Sequence, residues 1–434
     1  MNFSMPENFS TEKNYGNSSE QPEGGSQKLT AILYISYDGL TDPLGQSQVL
    51  PYLVGLSAKG YQCTILSFEK KDRYEKGGQT IQQIVDAASI HWVPLMFTSS
   101  PPVLSKIYDL RQMKRTAVRL HRKMHFDLVH CRSYIAAQAG MLLKKKFGVP
   151  FVFDMRGFWA DEKKDSGHWS GFLYGKLYAH YKNLEKKLLA SADAVISLTV
   201  AAKNEMAGWN IKGLAKHISI IPCCADLELF DWQKVDEAKE KALKIRLSLA
   251  DAFPVIGYLG SIGGAYGIRE MVLFFSVVKK KYPRAQFLFL TKDDTSSLME
   301  EVKKYDWLSA TDIHALFAKR ADIPDYIALM DYSIFFYKPS YSRLACSPTK
   351  FAELSGMGVP VICNAVGDLN NELLGNLHTV IPGIADEEIR KAAENLQPVK
   401  TPPRAAIRDF ALRHFSLADG VERYAAVYES VLKK

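Results

Sequence analysis

The sequence predicts an α/β protein of two doubly wound, Rossmann-like domains facing a cleft, and three observations predict it. Short apolar runs alternate along the chain with longer amphipathic segments, the pattern of parallel strands covered by helices on both faces. The runs form two series separated by a charged stretch, and 434 residues exceed what one ordinary core holds. Glycine-rich or charged loops follow several of the runs, where open α/β sheets place their ligands.

The chain opens with MNFSMPENFSTEKNYGNSSEQPEGGSQK, which has no apolar signal core and too little hydrophobicity to order itself. Residues 1–28 are therefore expected to be a disordered tail, and the protein to be cytoplasmic. No apolar run reaches the roughly 18 residues of a membrane-spanning helix. The balance of 47% hydrophobic and 24% charged residues is that of a soluble globular protein. Six cysteines with no CxxC pair are expected to be reduced thiols that pack in cores, and no metal site is expected.

The first domain, residues 29–230, is expected to use AILYIS (31–36), QCTILSF (62–68), SIHWVPL (89–95), DLVHC (127–131), PFVFDM (150–155) and AVISL (194–198) as strands. Between the third and fourth lies SKIYDLRQMKRTAVRLHRKMHF, with Lys106, Arg111, Lys114, Arg115, Arg119, Arg122 and Lys123 against Asp109 alone. Apolar residues recur there at near-helical spacing, so the segment is either a helix with a solvated basic face or a dock for an anionic surface. Such a surface would be phospholipid headgroups or a phosphorylated lipid carrier, and the net charge of +8 agrees with it. Nucleic acid is not expected, because no nucleic-acid-binding signature accompanies the patch.

The boundary falls after ISIIPCCADLELF, near residue 230, before WQKVDEAKEKALKIRLSLADAF. The second domain, residues 231–415, is expected to use PVIGYLG (254–260), QFLFLT (286–291), DYSIFFY (331–337) and VPVICN (359–364). Residues 416–434 place Val421, Tyr424, Ala425, Val427, Tyr428, Val431 and Leu432 on one face of a closing amphipathic helix.

Candidate chemistry sits at the strand ends. SYDGLTDPLGQSQV makes a tight loop with Gly39, Pro43 and Gly45, then leads into a helix through Gln46. It lacks the Gly-x-Gly-x-x-Gly fingerprint of a dinucleotide site. DLVHCRSY puts His130 and Arg132 at a strand end, and FVFDMRGFWADE does the same for Asp154, Arg156, Asp161 and Glu162. These converge as one ligand surface. In the second half, GSIGGAYGIREM carries Gly260, Ser261, Gly263, Gly264 and Gly267 before a helix, so backbone amides can approach a phosphate. In RLACSPTKFAELSGMGVPVI, Ser347, Pro348 and Thr349 form a helix entrance with Ser347 or Thr349 as cap. Lys350 and Glu353 on its first turn suit a diphosphate and two ribose hydroxyls.

From about residue 30 to the end, these pieces resemble the GT-B fold glycosyltransferases of the family 4 type. LTDPLGQSQVLPYLVGLSAKGY resembles the family's acceptor-side loop, ISIIPCCADLELF its linker, YLGSIGGAYGIREM its second glycine loop and SPTKFAELSGMGVPVI its donor helix. SYDGLTDPLGQSQV with FDMRGFWADE resembles a bacterial surface-polysaccharide branch. The resemblance implies a retaining, hexosyltransferase-type enzyme that moves a sugar from a nucleoside-diphosphate sugar to a lipid-linked or cell-surface glycan, with no cofactor or metal. The basic segment near residues 105–125 suggests peripheral contact with the inner face of an anionic membrane. By the resemblance, the second domain would bind the donor, Glu353 the ribose, and the last helix would cross back to the first domain. Ser261 and Tyr266 stand where the family often has an arginine and a lysine, and Ala345 where it has a glutamate. The diphosphate would then rest on Lys350, the loop amides and another cation, with Arg343 and Lys292 as candidates. Arg132 stands where many members have a histidine. Arg132, Arg156 and Lys350 are the catalytic candidates, with no base assigned, and Gly45, Gln46, His130, Arg132, Asp154 and Arg156 form the acceptor side. Two alternatives remain open: a catalytically silent subunit that scaffolds a partner transferase, and a nucleotide-sugar epimerase.

Overall fold

The computed structural model describes residues 29–433 apart from 168, 170, 213, 215–217 and 399–400. The tail expected over residues 1–28 lies outside the described residues.

The first sheet contains β1 (Ala31–Ser36), β2 (Gln62–Glu69), β3 (His91–Met96), β4 (Leu128–Arg132), β5 (Phe151–Asp154), β6 (Ala194–Ser197) and β7 (Ile218–Ile220). They lie in the order β3-β2-β1-β4-β5-β6-β7. The second contains β8 (Val255–Leu259), β9 (Gln286–Leu290), β10 (Ile313–Leu316), β11 (Tyr332–Phe335), β12 (Val361–Asn364) and β13 (Thr379–Ile381). Their order is β10-β9-β8-β11-β12-β13. All pairings are parallel. The fold is thus the expected pair of doubly wound sheets. In each, strand order reverses once, between β1 and β4 and between β8 and β11, which opens a crevice at the carboxyl ends.

Period-two alternation sorts the first domain's side chains into two cores. Leu33, Ile35, Val129, Cys131, Phe151 and Phe153 face one helical layer. Ile32, Tyr34, Leu128 and Val152 face the other, where helix Leu417–Leu432 lays down Val421, Tyr424, Ala425 and Tyr428. That helix approaches helix Leu50–Ala58 closely at Gly55, where an added Cβ would stand 2.6 Å from Val421 Cγ2.

Three strands were not foreseen from sequence: β7, β10 and β13. Each is an edge strand of three or four residues. Each has a neighbouring strand along one edge only and is partly exposed, so none makes a long apolar run. The basic segment is helix Pro102–Met124, which buries Met113 and Ala117 and leaves Leu104, Ile107 and Tyr108 exposed. Among the described residues no helix is long and apolar enough to cross a membrane.

Candidate functional site

The second domain's site is assembled on both sides of the β8–β11 reversal. β8 runs into Gly260, which has a φ of +136° that a side chain would strain. Tyr258 Oη donates to the Ser261 carbonyl at 2.6 Å, and Ile262 N–H donates to Asp293 Oδ2 at 2.9 Å, so the loop is tied at both ends of its turn. Ser261 and Lys292 are exposed on its rim, with Gly263 beside them. From beyond β11 comes helix Thr349–Gly356, whose first turn buries Lys350 and Glu353.

The two charges have different partners. Glu353 Oε1 accepts from Arg320 Nη1 at 2.9 Å; burial raises the carboxyl pKa, and Arg320 opposes the rise. Lys350 Nζ donates to Tyr258 Oη at 3.3 Å and sits against the rings of Tyr258 and Tyr266. Burial lowers its pKa to about 7. Pro348 occupies the helix cap position and no side chain caps the helix. This corrects the expected cap: Ser347 Oγ instead accepts from Cys223 N–H at 3.1 Å, in the segment that leaves the first domain. Thr349 is simply the first helical residue.

In the first domain, the loop after β1 folds around the carboxylate of Glu69. That carboxylate accepts from Leu40 N–H at 2.8 Å, Thr41 N–H at 3.0 Å and Ser67 Oγ at 2.6 Å. An added Cβ on Gly45 would lie 2.0 Å from the Gly39 carbonyl, so only glycine fits this packing. Gln46 Nε2 donates to the Thr41 carbonyl at 3.2 Å and pins the loop.

His130, Arg132, Asp154 and Arg156 meet beside it at the ends of β4 and β5. Asp154 is completely buried and accepts from Tyr424 Oη at 2.9 Å. Arg156 Nη1 lies 3.8 Å from its Oδ1, and Arg132 Nη1 lies 3.9 Å from its Oδ2. Burial pushes the carboxyl upward, but Arg156, His130 and Arg132 hold it down to about 2. Two guanidinium groups thus share one buried carboxylate, and Asp38 adds a contact of 3.5 Å to Arg132 Nε. Arg156 Nη2 also donates to Gln48 Oε1 at 3.3 Å. His130 stacks on Tyr34 at 4.3 Å, and its Nδ1 lies 2.7 Å from Tyr428 Oη. Burial lowers its pKa, so it is neutral and enclosed. Asp161 is tied elsewhere, accepting from Tyr178 Oη at 2.6 Å and Lys182 Nζ at 2.8 Å.

Several contacts join the domains. Asp368 accepts from Val200 N–H at 2.7 Å and Ala201 N–H at 3.0 Å, at the start of helix Val200–Ala207. Thr199 Oγ1 donates to the Leu344 carbonyl at 2.6 Å, and Tyr341 Oη donates to Glu205 Oε1 at 2.8 Å. Arg343 belongs to this seam: Nη2 is 3.8 Å from Glu162 Oε1. The buried Ala345 carbonyl would stand 3.4 Å from a Cβ added to Gly157, next to Arg156.

The structure therefore gathers the sequence-derived residues into two groups, with Arg343 and Ser347 at the seam. Gly260, Ser261, Lys350 and Glu353 form one, and His130, Arg132, Asp154 and Arg156 the other. Glu69, Arg320 and Asp368 were missed, and Tyr424 and Tyr428 were expected on the packing face of the last helix without their contacts to Asp154 and His130. Only Glu69 carried a signal, an acidic residue closing an apolar strand.

Residues 48–229 match the model of Glycosyltransferase Family 4. No curated protein matches the chain. Among solved structures, it is similar to Anabaena HepE in complex with UDP and glucose, at 15% identity and TM-score 0.65 over 92% of this chain and 99% of that one. It is also similar to the sucrose-phosphate synthase of Thermosynechococcus elongatus, at 16% identity and TM-score 0.68 over 93% and 99%. A glycosyltransferase from Rickettsia africae matches at 16% identity and TM-score 0.66 over 94% and 100%. The chain has the GT-B fold, and its residues 48–229 are similar to the family 4 glycosyltransferases.

Proposed function

We propose that this chain, with its family-4-like segment set in a GT-B frame, is a retaining hexosyltransferase that uses a nucleoside-diphosphate sugar and extends a lipid-linked or cell-surface glycan. The observation that carries the reading is the burial of Lys350 and Glu353 on one helical turn across from Gly260, at the strand-order reversal. A diphosphate there would meet Lys350, the amides of the Gly260 loop and the uncapped helix start, while Glu353 would accept from the ribose hydroxyls. HepE, a structure of similar fold, holds UDP and glucose.

In the proposed reaction the acceptor hydroxyl attacks the anomeric carbon on the face from which the diphosphate leaves. The bond to the diphosphate oxygen breaks, the glycosidic bond forms, and the acceptor proton passes to the departing phosphate. The protein orients the partners and stabilises the leaving charge, with no metal required. Arg132 and Arg156 place surplus positive charge on the acceptor side.

Support for the proposed acceptor class comes from helix Pro102–Met124. A groove of about 580 Å³ beside it is lined by Lys114, Arg115, Arg119, Arg122, Lys123 and Lys146. Exposed Leu104, Ile107 and Tyr108 continue the same helix, an amphipathic combination suited to anionic lipid at the cytoplasmic face of a membrane.

Titration of the purified protein with a panel of nucleotide-sugars tests the donor. Binding is expected for one nucleotide family, and no binding across the panel overturns the reading. Product analysis separates the alternatives: sugar release or transfer by the chain alone excludes a silent subunit, and an epimerised donor without acceptor would replace transfer by epimerisation. Vesicle binding that fails to weaken with salt would remove the electrostatic dock.

A further inference from the structure

The first turn of helix Thr349–Gly356 holds a basic side chain that forms no ion pair among the described residues, with Glu353 attracting it at longer range. Lys350 Nζ lies 4.0 Å from the centre of the Tyr266 ring, 4.3 Å from Tyr258 and 5.7 Å from Phe335. Two strands and the loop between them supply this box. On the β8 side, the Tyr258 and Tyr266 hydroxyls are pushed up in pKa by burial and are neutral at physiological pH. From β11 come Phe335 and then Tyr337, likewise raised by burial. Before the helix stands Cys346, whose thiol burial pushes up to about 11, with Arg343 Nη1 3.9 Å from its sulfur. On the helix itself Glu353 is paired to Arg320, and across the loop Asp293 accepts from Ile262 N–H. Among the described residues no carboxylate forms an ion pair with Nζ; its hydrogen bond is to Tyr258 Oη at 3.3 Å.

An ammonium in this box has lost its water, which costs several kcal/mol. Three rings return about 0.5–2 kcal/mol each. The rings offset only part of that cost, so the change of charge falls below the ordinary lysine range, in agreement with the value of about 7. Gly260 completes the geometry: an added Cβ there would be 2.6 Å from Nζ, so an approaching ligand meets the nitrogen over bare backbone.

We propose that this site takes up a proton together with its anionic ligand, Lys350 being mainly an amine in the empty site at pH 8 and an ammonium once a diphosphate docks against Gly260. The proton comes from solvent to Nζ and returns when the diphosphate leaves. The proposal rests on the donor-site reading above and adds to it a dependence on pH: affinity for the fixed-charge diphosphate of a nucleotide-sugar should fall roughly tenfold per pH unit above about pH 8.

Two measurements on the full chain test it. With lysines labelled at Cε, the NMR signal lost in Lys350→Met should titrate near neutral pH in the ligand-free protein; a midpoint above pH 9 overturns the proposal without any ligand. Calorimetry with UDP-glucose, and with the GDP, ADP and TDP sugars, in two buffers of different ionisation enthalpy should show uptake approaching one proton per ligand at pH 8. Binding with no buffer-dependent heat overturns proton coupling and leaves the donor site standing, whereas failure of all four to bind overturns both. Lys350→Arg, permanently charged, should bind without proton uptake. Uptake that persists in this variant would assign the proton elsewhere and overturn the role of Lys350.

Discussion

Lys350 with Glu353 and Arg132 with Asp154 and Arg156 occupy equivalent places, charged residues at the carboxyl ends of parallel strands beside a reversal of strand order. Their surroundings differ. In the first domain the charges face one another, and the last helix seals them with Tyr424 and Tyr428. In the second, Lys350 faces aromatic rings and the Tyr258 hydroxyl, and Glu353 is held by an arginine from another segment. The first-domain charges are enclosed by the fold around a shared carboxylate, whereas Lys350 has no ion-pair partner among the described residues and meets a ligand over the bare backbone of Gly260. The first-domain cluster should therefore answer to stability measurements and the second-domain pair to binding measurements.

The largest effect is expected at Asp154. Asp154→Ala leaves two guanidinium groups buried without their carboxylate and should cost about 3–5 kcal/mol of stability, read by denaturant unfolding. Its pH dependence has a definite sign. The folded carboxyl titrates at about 2, below its unfolded value, so its contribution is complete above about pH 4 and is lost as pH falls toward 2. Stability of the parent should drop through that window more steeply than that of Asp154→Asn.

Lys350→Ala should behave in the opposite way. Nucleotide affinity should fall by about 10- to 100-fold, equivalent to about 1.4–2.8 kcal/mol, with the unfolding midpoint held or raised because a buried amine has been removed. A large loss of stability would erase the distinction between the two regions. Asp368→Ala should remove about 1 kcal/mol from the seam and expand the particle slightly in small-angle scattering, since the cap it breaks joins the two domains. Smallest is Tyr428→Phe, which deletes the 2.7 Å contact to His130 at a cost of about 0.5 kcal/mol, with nucleotide binding unchanged.

The fold was legible because buried parallel strands write themselves as apolar runs, and ten of the strands announced themselves in that way. β7, β10 and β13 did not, because an edge strand of three or four residues needs little apolar sequence. Lys350 and Glu353 were legible as a local pair, three residues apart on one turn. Their partners were not: Arg320 lies 33 positions from Glu353, and Tyr258 lies 92 from Lys350. Spacing along the chain carries no trace of such pairings. The same limit applies to Ser347, where local sequence favours a cap and tertiary contact with Cys223 takes the hydroxyl instead.

The closing helix has a consequence for biosynthesis. Tyr424 reaches Asp154 across 270 residues of chain. At about 5–20 residues per second, a ribosome needs roughly 14 to 54 seconds to make that interval. Throughout it the nascent first domain must keep two arginines and a carboxylate wet, and its Ile32–Tyr34 face covered only in part, by helix Leu50–Ala58 and its neighbours. Folding of the first half therefore finishes last, and a chain stalled before residue 424 would expose part of an apolar sheet face for chaperones to cover.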